Sequence, residues 1–323
     1  MSKIIGIDIS KQTFDVSFLK KDKWEHKIFK NNLKGFDCFK NLIEENDWIV
    51  MEASGPYYVQ LASYLNAFGY KVCVLNPLII RRYSQTRLYR AKTDKKDART
   101  IAEYGTQYDL KKWSPESKSS TEIKQLYTAL ELLKKQIHQT KRQLASFQAT
   151  GLLTSSLKRE LKQVEILLQR RIDKFEKEIE KIGVTAYKET IERLKTIPGV
   201  GIKTAIMMSV ITDNFTKFES HKQLTAFVGF SPRLYQSGTS VKGKGHICKM
   251  GKPQIRKLLY LCSWSAKKVN KHCIEMYKRL KAKGKPERVI KIALANKLIK
   301  QIFSIAKNKK YYDENHQNLY CCN

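Results

Sequence analysis

Hydrophobic and polar positions follow three different rhythms along the chain. In the first third, short apolar runs are cut by turn signals. Ile4-Ile5-Gly6-Ile7-Asp8-Ile9 reads as a buried strand with an acid near its end. Thr13–Leu19 alternates as a second strand, Lys21-Asp22-Lys23 turns, and Trp24–Phe29 returns as the hairpin partner. Leu33–Glu45 has helical spacing. Trp48–Met51 is a buried strand stopped by Glu52-Ala53-Ser54-Gly55-Pro56, and Tyr57–Phe68 is helical. Lys71–Leu75 is a strand ended by Asn76-Pro77, and Thr93 caps a helix over Asp94–Tyr104. Strand, hairpin, helix, strand, helix, strand, helix predicts a mixed α/β layer fold.

The middle third is periodic over longer stretches. Ile123, Leu126, Leu130, Leu133, Ile137 and Leu144 mark a heptad seam. After a break near Thr150-Gly151, Leu157, Leu161, Val164, Leu168, Ile172, Phe175, Ile179 and Ile182 repeat it. This predicts an antiparallel coiled-coil hairpin, with a pair of ordinary bundle helices as the plainer reading. Whether such a seam pairs within one chain or between two is open.

From Glu192 onward the pattern is helical with glycine punctuation. Ile197-Pro198-Gly199-Val200-Gly201 leads into a helix running to about Ile211, and Leu224–Phe230 is a short helix or strand. Tyr235–Gly251 is a Gly/Lys-rich loop, followed by helices near 253–268, 272–281 and 287–306. The tail at 313–323 is polar and expected to fray.

Composition sharpens this picture. With 323 residues the chain is long enough for two or three domains, and 42% hydrophobic content excludes wholesale disorder. No apolar run approaches the roughly 18 residues of a membrane span, and the N-terminal sequence has no signal-peptide layout. The seven cysteines make no CxxC, which fits a reducing cytoplasm. The net charge of +32 calls for a polyanionic partner, with nucleic acid the leading candidate. From Arg233 to Lys310, 22 lysines and arginines stand against two acids, Glu275 and Glu287. A soluble lysine face is the bland account, but it explains short charge runs better than so long a bias.

Four acids stand out by position. Asp8 lies in the first strand and Glu52 just past a later one, while Asp94 and Asp97 stand at i and i+3 on one helix. Carboxylates from two strand ends and a helix can converge on a pair of Mg²⁺ ions. Two such ions can hold both oxygens of an in-line phosphoryl transfer, which is the ribonuclease-H and junction-resolvase plan. Each acid alone is an ordinary surface residue or helix opener; the joint order makes the pattern. The Gly199 and Gly201 turn before Lys203 fits a helix-hairpin-helix element that presents backbone N–H groups to phosphate, or else a plain tight turn. In the Gly/Lys-rich loop, Ser237 beside Gly238 can be a nucleophile toward a phosphodiester, with Lys242, Lys244, Lys249, Lys252 and Arg256 near it in sequence. A loop that only grips phosphate is the commoner case. His246, Cys248, Cys262, His272 and Cys273 match no zinc spacing.

The ordered set resembles a known family. Gly6-Ile7-Asp8 with Lys11 and Phe14, Met51-Glu52-Ala53-Ser54-Gly55, and Lys92 through Ala98 resemble the N-terminal half of the DEDD insertion-sequence transposases, the IS one-ten family. Ile197–Gly201, Phe227–Pro232, Gln236-Ser237-Gly238 through Gly251, and Ile255–Leu259 resemble its C-terminal half. Gly251-Lys252-Pro253 departs from the commoner Gly-Asn. The resemblance implies a DNA recombinase with a RuvC-like (ribonuclease-H fold) domain over 1–113, a coiled-coil hairpin over 114–190 and a mostly helical transposase domain over 191–312. It further implies Mg²⁺ on Asp8, Glu52, Asp94 and Asp97, and Ser237 as a nucleophile forming a phosphoserine bond to DNA, with Ser240 as the alternative. The partners implied are donor and target duplex DNA and a structured "bridge" RNA that pairs with both. By analogy the chains assemble as a dimer or tetramer.

Overall fold

The computed structural model describes residues 3–87, 93–233, 236–237, 241–242 and 246–315, with the backbone alone at 236, 237, 241 and 242. The chain divides into two compact units, Met1–Glu116 and Ser117–Asn323.

The first unit runs β1 (Ile4–Ile9), β2 (Thr13–Lys20), β3 (Lys23–Lys30), α1 (Leu33–Lys40), β4 (Trp48–Glu52), α2 (Tyr58–Ala67), β5 (Lys71–Leu75), α3 (Pro77–Thr86) and α4 (Asp94–Gln107). Its five-stranded sheet has the order β3-β2-β1-β4-β5. The β1–β2 and β2–β3 pairs are antiparallel, and β1–β4 and β4–β5 are parallel. Lys21 and Asp22 both take positive φ (46° and 62°), the two-residue turn whose twist matches a hairpin.

Strand alternation divides the sheet into two faces. Ile5, Ile7, Ile9, Phe14, Val16, Phe18, Ile49, Met51 and Val72 form one apolar cluster with Phe36 and Phe39 of α1 and Leu61 and Leu65 of α2. The opposite face places Val50 and Cys73 with Ile80 of α3 and Ile101 of α4. Helices on both faces make the unit three-layered.

Two sequence expectations change here. The helix predicted over Leu33–Glu45 stops at Lys40, because the buried Asp47 carboxylate accepts the N–H groups of Glu44 (2.9 Å) and Lys3 (2.8 Å) and holds the following residues in a turn. The Asn76-Pro77 strand stop is also a helix start. Asn76 caps α3 by accepting from Leu78 N at 2.9 Å, and Pro77 occupies the first turn, where no N–H is needed.

The second unit is mostly helical. It contains α5 (Lys118–Ala149), α6 (Ser155–Lys195), α7 (Ile202–Thr212), α8 (His221–Val228), β6 (Pro232–Arg233), β7 (Gln236–Ser237), β8 (Val241–Lys242), β9 (His246–Ile247), α9 (Pro253–Val269), α10 (Lys271–Ala282) and α11 (Glu287–Asn308). Helices α5 and α6 lie antiparallel, since Ser120 meets Tyr187 (2.6 Å), Lys134 meets Glu176 (2.8 Å) and Lys141 meets Glu165 (3.4 Å). Helix α5 buries Ile123, Leu130, Ile137 and Leu144 seven residues apart, and α6 buries Ile172 and Ile179. Leu157 and Val164, expected in the same seam, are exposed.

The expected domain boundary at 190–191 falls inside α6, and its final turns and the base of the hairpin share one apolar cluster with α7, α9 and α11. Helix α7 is the centre of that cluster and is buried from Thr204 to Thr212. The Gly/Lys-rich segment expected as a loop contains short strands. β6 pairs antiparallel with β9, and β7 pairs antiparallel with β8.

Candidate catalytic site

The acidic site in the first unit is built by register. Ile4, Gly6 and Asp8 share one face of β1. On the parallel neighbour β4, Trp48 and Val50 stand beside Ile4 and Gly6, so Glu52 closes that strand next to Asp8. Helix α4 covers this face. A Cβ on its Gly105 would meet Ile4 and Val50, and a Cβ on Gly6 would collide with the backbone of Ala98 and Ala102. Helix α4 therefore runs antiparallel to β1, which brings its first turn, with Asp94 and Asp97, level with Asp8. Thr93 caps that turn by accepting from Lys96 N at 3.3 Å.

The electrostatics agree with this placement. Burial, then the charges of Asp97, Asp94, Glu52 and Asp15, push the Asp8 carboxyl up to about 6. The other three acids picked out by sequence thus all act on Asp8. Among the described residues no group of three or more His, Cys, Asp or Glu side chains is drawn to metal-ligand spacing. The acids share a field without closing on a common point.

Asp15 is the neighbour that sequence reasoning missed. It stands directly opposite Asp8 on β2 and on the same face, and it is buried. Its Oδ1 lies 2.7 Å from Nε2 of His26 on β3, so a cross-sheet His–Asp pair flanks the acids. The only sequence signal was an acid in an otherwise apolar strand, and its meaning depended on the hairpin register. Beside this pair, Arg99 of α4 lies over the Trp24 ring at 4.9 Å.

The close approach at Gly6 has a measurable consequence. Gly6→Ala should push α4 off the sheet, at a cost of at least about 1–3 kcal/mol for overpacking against backbone. Thermal unfolding should record the loss, and cleavage should fall with it because the same helix carries Asp94 and Asp97. An unchanged melting temperature would contradict this packing.

In the second unit the expected binding residues have different surroundings. Gly199 has φ +95° and a Cβ there would strike Ala266 of α9, so this glycine serves close packing. Gly201 caps α7 and has open space around it. Lys203 pairs with Glu176 at 2.7 Å. Arg256 donates to the Val228 carbonyl at the end of α8 (2.7 Å). Lys203 and Arg256 are thus tied to their own chain. Lys249 and Lys252 are exposed, and Lys252 lies 5.8 Å from the Phe227 ring centroid.

Ser237 closes β7, paired with Val241, and Lys242 pairs with Gln236 across the same ladder. Ser240 and Lys244 lie outside the described residues. Among the described residues no helix is long and apolar enough to cross a membrane.

Comparison with known proteins converges on one family. The profile of the IS110-type DEDD transposases, described as "Transposase", matches residues 5–149. The profile "Transposase IS116/IS110/IS902 family" matches residues 191–278. The chain is 28% identical over 328 residues to a pilin gene-inverting protein of Moraxella lacunata, covering 97% of this chain and 99% of that one. It is also 28% identical to the pilin gene-inverting protein of Moraxella bovis, with the same coverage. It is 24% identical to the transposase of insertion sequence IS1111A from Coxiella burnetii, covering 80% of this chain and 76% of that one. With matching profiles in both units and relatives aligned nearly end to end, the chain belongs to the IS110 family of transposases.

Proposed function

We propose that this transposase cuts and rejoins DNA through a covalent bond to Ser237, guided by a structured RNA, with Mg²⁺ held by Asp8, Glu52, Asp94 and Asp97. The observation that carries this reading is the shared field of those acids at the ends of β1 and β4 and in the first turn of α4, which raises the proton affinity of Asp8. Several carboxylates raising the proton affinity of one are what a hard divalent cation neutralises, and their oxygens are the donors it prefers. Bound there, such cations would supply Lewis-acid stabilisation of the charge that develops in a phosphoryl transfer.

The Ser237 Oγ forms a bond to phosphorus as a strand oxygen departs and takes the serine proton. Attack on that phosphoserine by an oxygen of the second duplex releases the serine, so one phosphodiester is exchanged for another. Lys242, Lys244, Lys249 and Lys252 offset the negative charge that develops. Rejoining is supported by the name of the Moraxella relatives, since inverting a gene requires that cut ends be resealed.

In this reading the first unit is a RuvC-like ribonuclease-H fold, α5 and α6 form a coiled coil, and Ile197–Gly201 is the turn of a helix-hairpin-helix element. Its three functional segments are 1–113, 114–190 and 191–312, the last two sharing the core of the second compact unit. Chains assemble as a dimer or tetramer in which acids of one subunit and Ser237 of another meet at one phosphate.

The test is a reaction of labelled donor and target duplexes with protein, Mg²⁺ and RNA transcribed from the element's flanks. Joined products should form only when all three are present. Free ends without joining would favour a metal-dependent nuclease that uses water, with Ser237 as a phosphate grip. RNA binding with intact DNA under every condition would mean a non-catalytic nucleic-acid-binding protein.

A further inference from the structure

The catalytic reading leaves a second feature unused, a cavity of about 280 Å³ at the C-terminal end of α11. Its floor is a polar stripe on α11, carrying Lys297, Gln301, Ser304 and Asn308 at i, i+4, i+7 and i+11. The wall is the segment after the helix. Lys309 takes a left-handed conformation (φ 52°) and turns the chain back, so that Lys310, Tyr311, Tyr312 and Asp313 also line the cavity.

Tyr312 fixes this wall. Its N–H donates to Thr196 Oγ1 at 2.9 Å, and its hydroxyl reaches Asn270 Oδ1 at 3.3 Å. Asn270 is fully buried and donates to Gln301 Oε1 at 3.1 Å. The cavity is therefore held by hydrogen bonds on two sides. Tyr311 sits at the rim with 63% of its surface exposed, an aromatic face with no demand on the core.

Its charge is one-sided. Lys297, Lys300 and Lys310 line the cavity with His272, against one acid, Asp313. Among the described residues none of the three lysines makes an ion pair, although Lys297 is half-buried. Lysines in the last turn of a helix are ordinarily explained by the helix dipole. That accounts for Lys307, but not for Lys297 and Lys300, two to three turns from the end. Three ammonium groups gathered without an acid paired to them attract an external anion.

We propose that this cavity seats one nucleotide of a single-stranded nucleic acid. Its phosphates lie on Lys297, Lys300 and Lys310, its base stacks on Tyr311, and Gln301, Ser304 and Asn308 donate to and accept from the base or sugar. The volume is near the lower end of small-ligand sites, about 300–1,000 Å³, and larger than a lone anion needs. An exposed tyrosine beside unpaired lysines is the combination single strands use, because every base has a face to stack. The inference rests on the reading of the protein as a handler of nucleic acid, and it adds where a strand, rather than a duplex, is held.

The experiment uses the full-length protein and fluorescence anisotropy with labelled oligo-dT, oligo-rU and a random-sequence duplex. Tyr311→Ala should weaken single-strand binding by about 5- to 160-fold, the range for loss of one stacked base, and shift duplex binding less than twofold. Tyr311→Phe should retain wild-type affinity. The Lys300→Ala/Lys310→Ala double variant should lower the salt slope for single strands by about 0.7 per lysine. An effect confined to oligo-rU identifies RNA as the occupant, and one confined to oligo-dT identifies a displaced DNA strand. Photocrosslinking of wild-type protein to 4-thiouridine and 4-thiothymidine oligonucleotides should label residues 297–313, which tests the site even where a variant unfolds. Unchanged single-strand affinity in folded variants, or crosslinks only elsewhere, overturns the site. Wild-type protein that binds duplex but no single strand also overturns it and leaves the proposed function standing; failure to bind any nucleic acid sinks both.

Discussion

Asp8→Asn should abolish strand cleavage and at the same time raise the melting temperature of the metal-free protein at pH 8. The two effects have one cause. Burial and four neighbouring acids push the Asp8 carboxyl up to about 6, whereas an unfolded chain releases that proton near 3.8. Between those values the folded state holds a proton that the unfolded state has lost, so stability falls as pH rises through the window and stays lower above it. Asparagine removes the charge and with it this pH dependence. It also removes an oxygen donor from the proposed metal site, which should lower cleavage about a thousandfold or more, the rate equivalent of several kcal/mol. Thermal melts at pH 4, 6 and 8 with and without Mg²⁺ make the check. Mg²⁺ should raise the melting temperature of the wild type by binding only the folded state, and leave Asp8→Asn nearly unmoved. A variant less stable than wild type at pH 8, or one that still cleaves, would break the link between the acids and the chemistry.

Ser237→Ala should eliminate a covalent protein–DNA adduct on a denaturing gel, while Ser240→Ala keeps it within about tenfold. An alanine has no oxygen to attack phosphorus, so the step is removed rather than slowed. Ser237 ends β7, where its backbone pairs with Val241 in a two-stranded ladder. Loss of the adduct only with Ser240→Ala would move the nucleophile three residues along. Cleavage without an adduct in wild type and both variants would replace serine by water.

The strands of the first unit were legible because their signals are local. Ile4–Ile9, Trp48–Met51 and Lys71–Leu75 are apolar runs bounded by turn residues, and they match β1, β4 and β5 closely. Helix α3 was hidden because Asn76-Pro77 ends a strand and starts a helix with the same two residues. The heptad pattern located α5 and α6, yet it also marked Leu157 and Val164, which the hairpin leaves exposed. Periodicity reports which face is apolar and not how far along its partner reaches.

What the sequence determined by itself is the order of chemistry. Asp8, Glu52, Asp94 and Asp97 are each placed by a strand end or a helix cap, and the basic excess after Arg233 is a matter of counting. What only the tertiary structure decided is which side chains act together. Asp15 becomes a neighbour of Asp8 through hairpin register, and His26 joins it from a third strand. Lys203 and Arg256 resemble phosphate ligands in the sequence, but Glu176 and the Val228 carbonyl hold them. Lys297 and Lys300 of α11 resemble a solvated face until Lys310–Asp313 turn back to line the same cavity. Local sequence sets backbone preference and charge. Partners far apart in the chain meet only through packing, and they decide whether a charge is spent inside the fold or offered to a ligand.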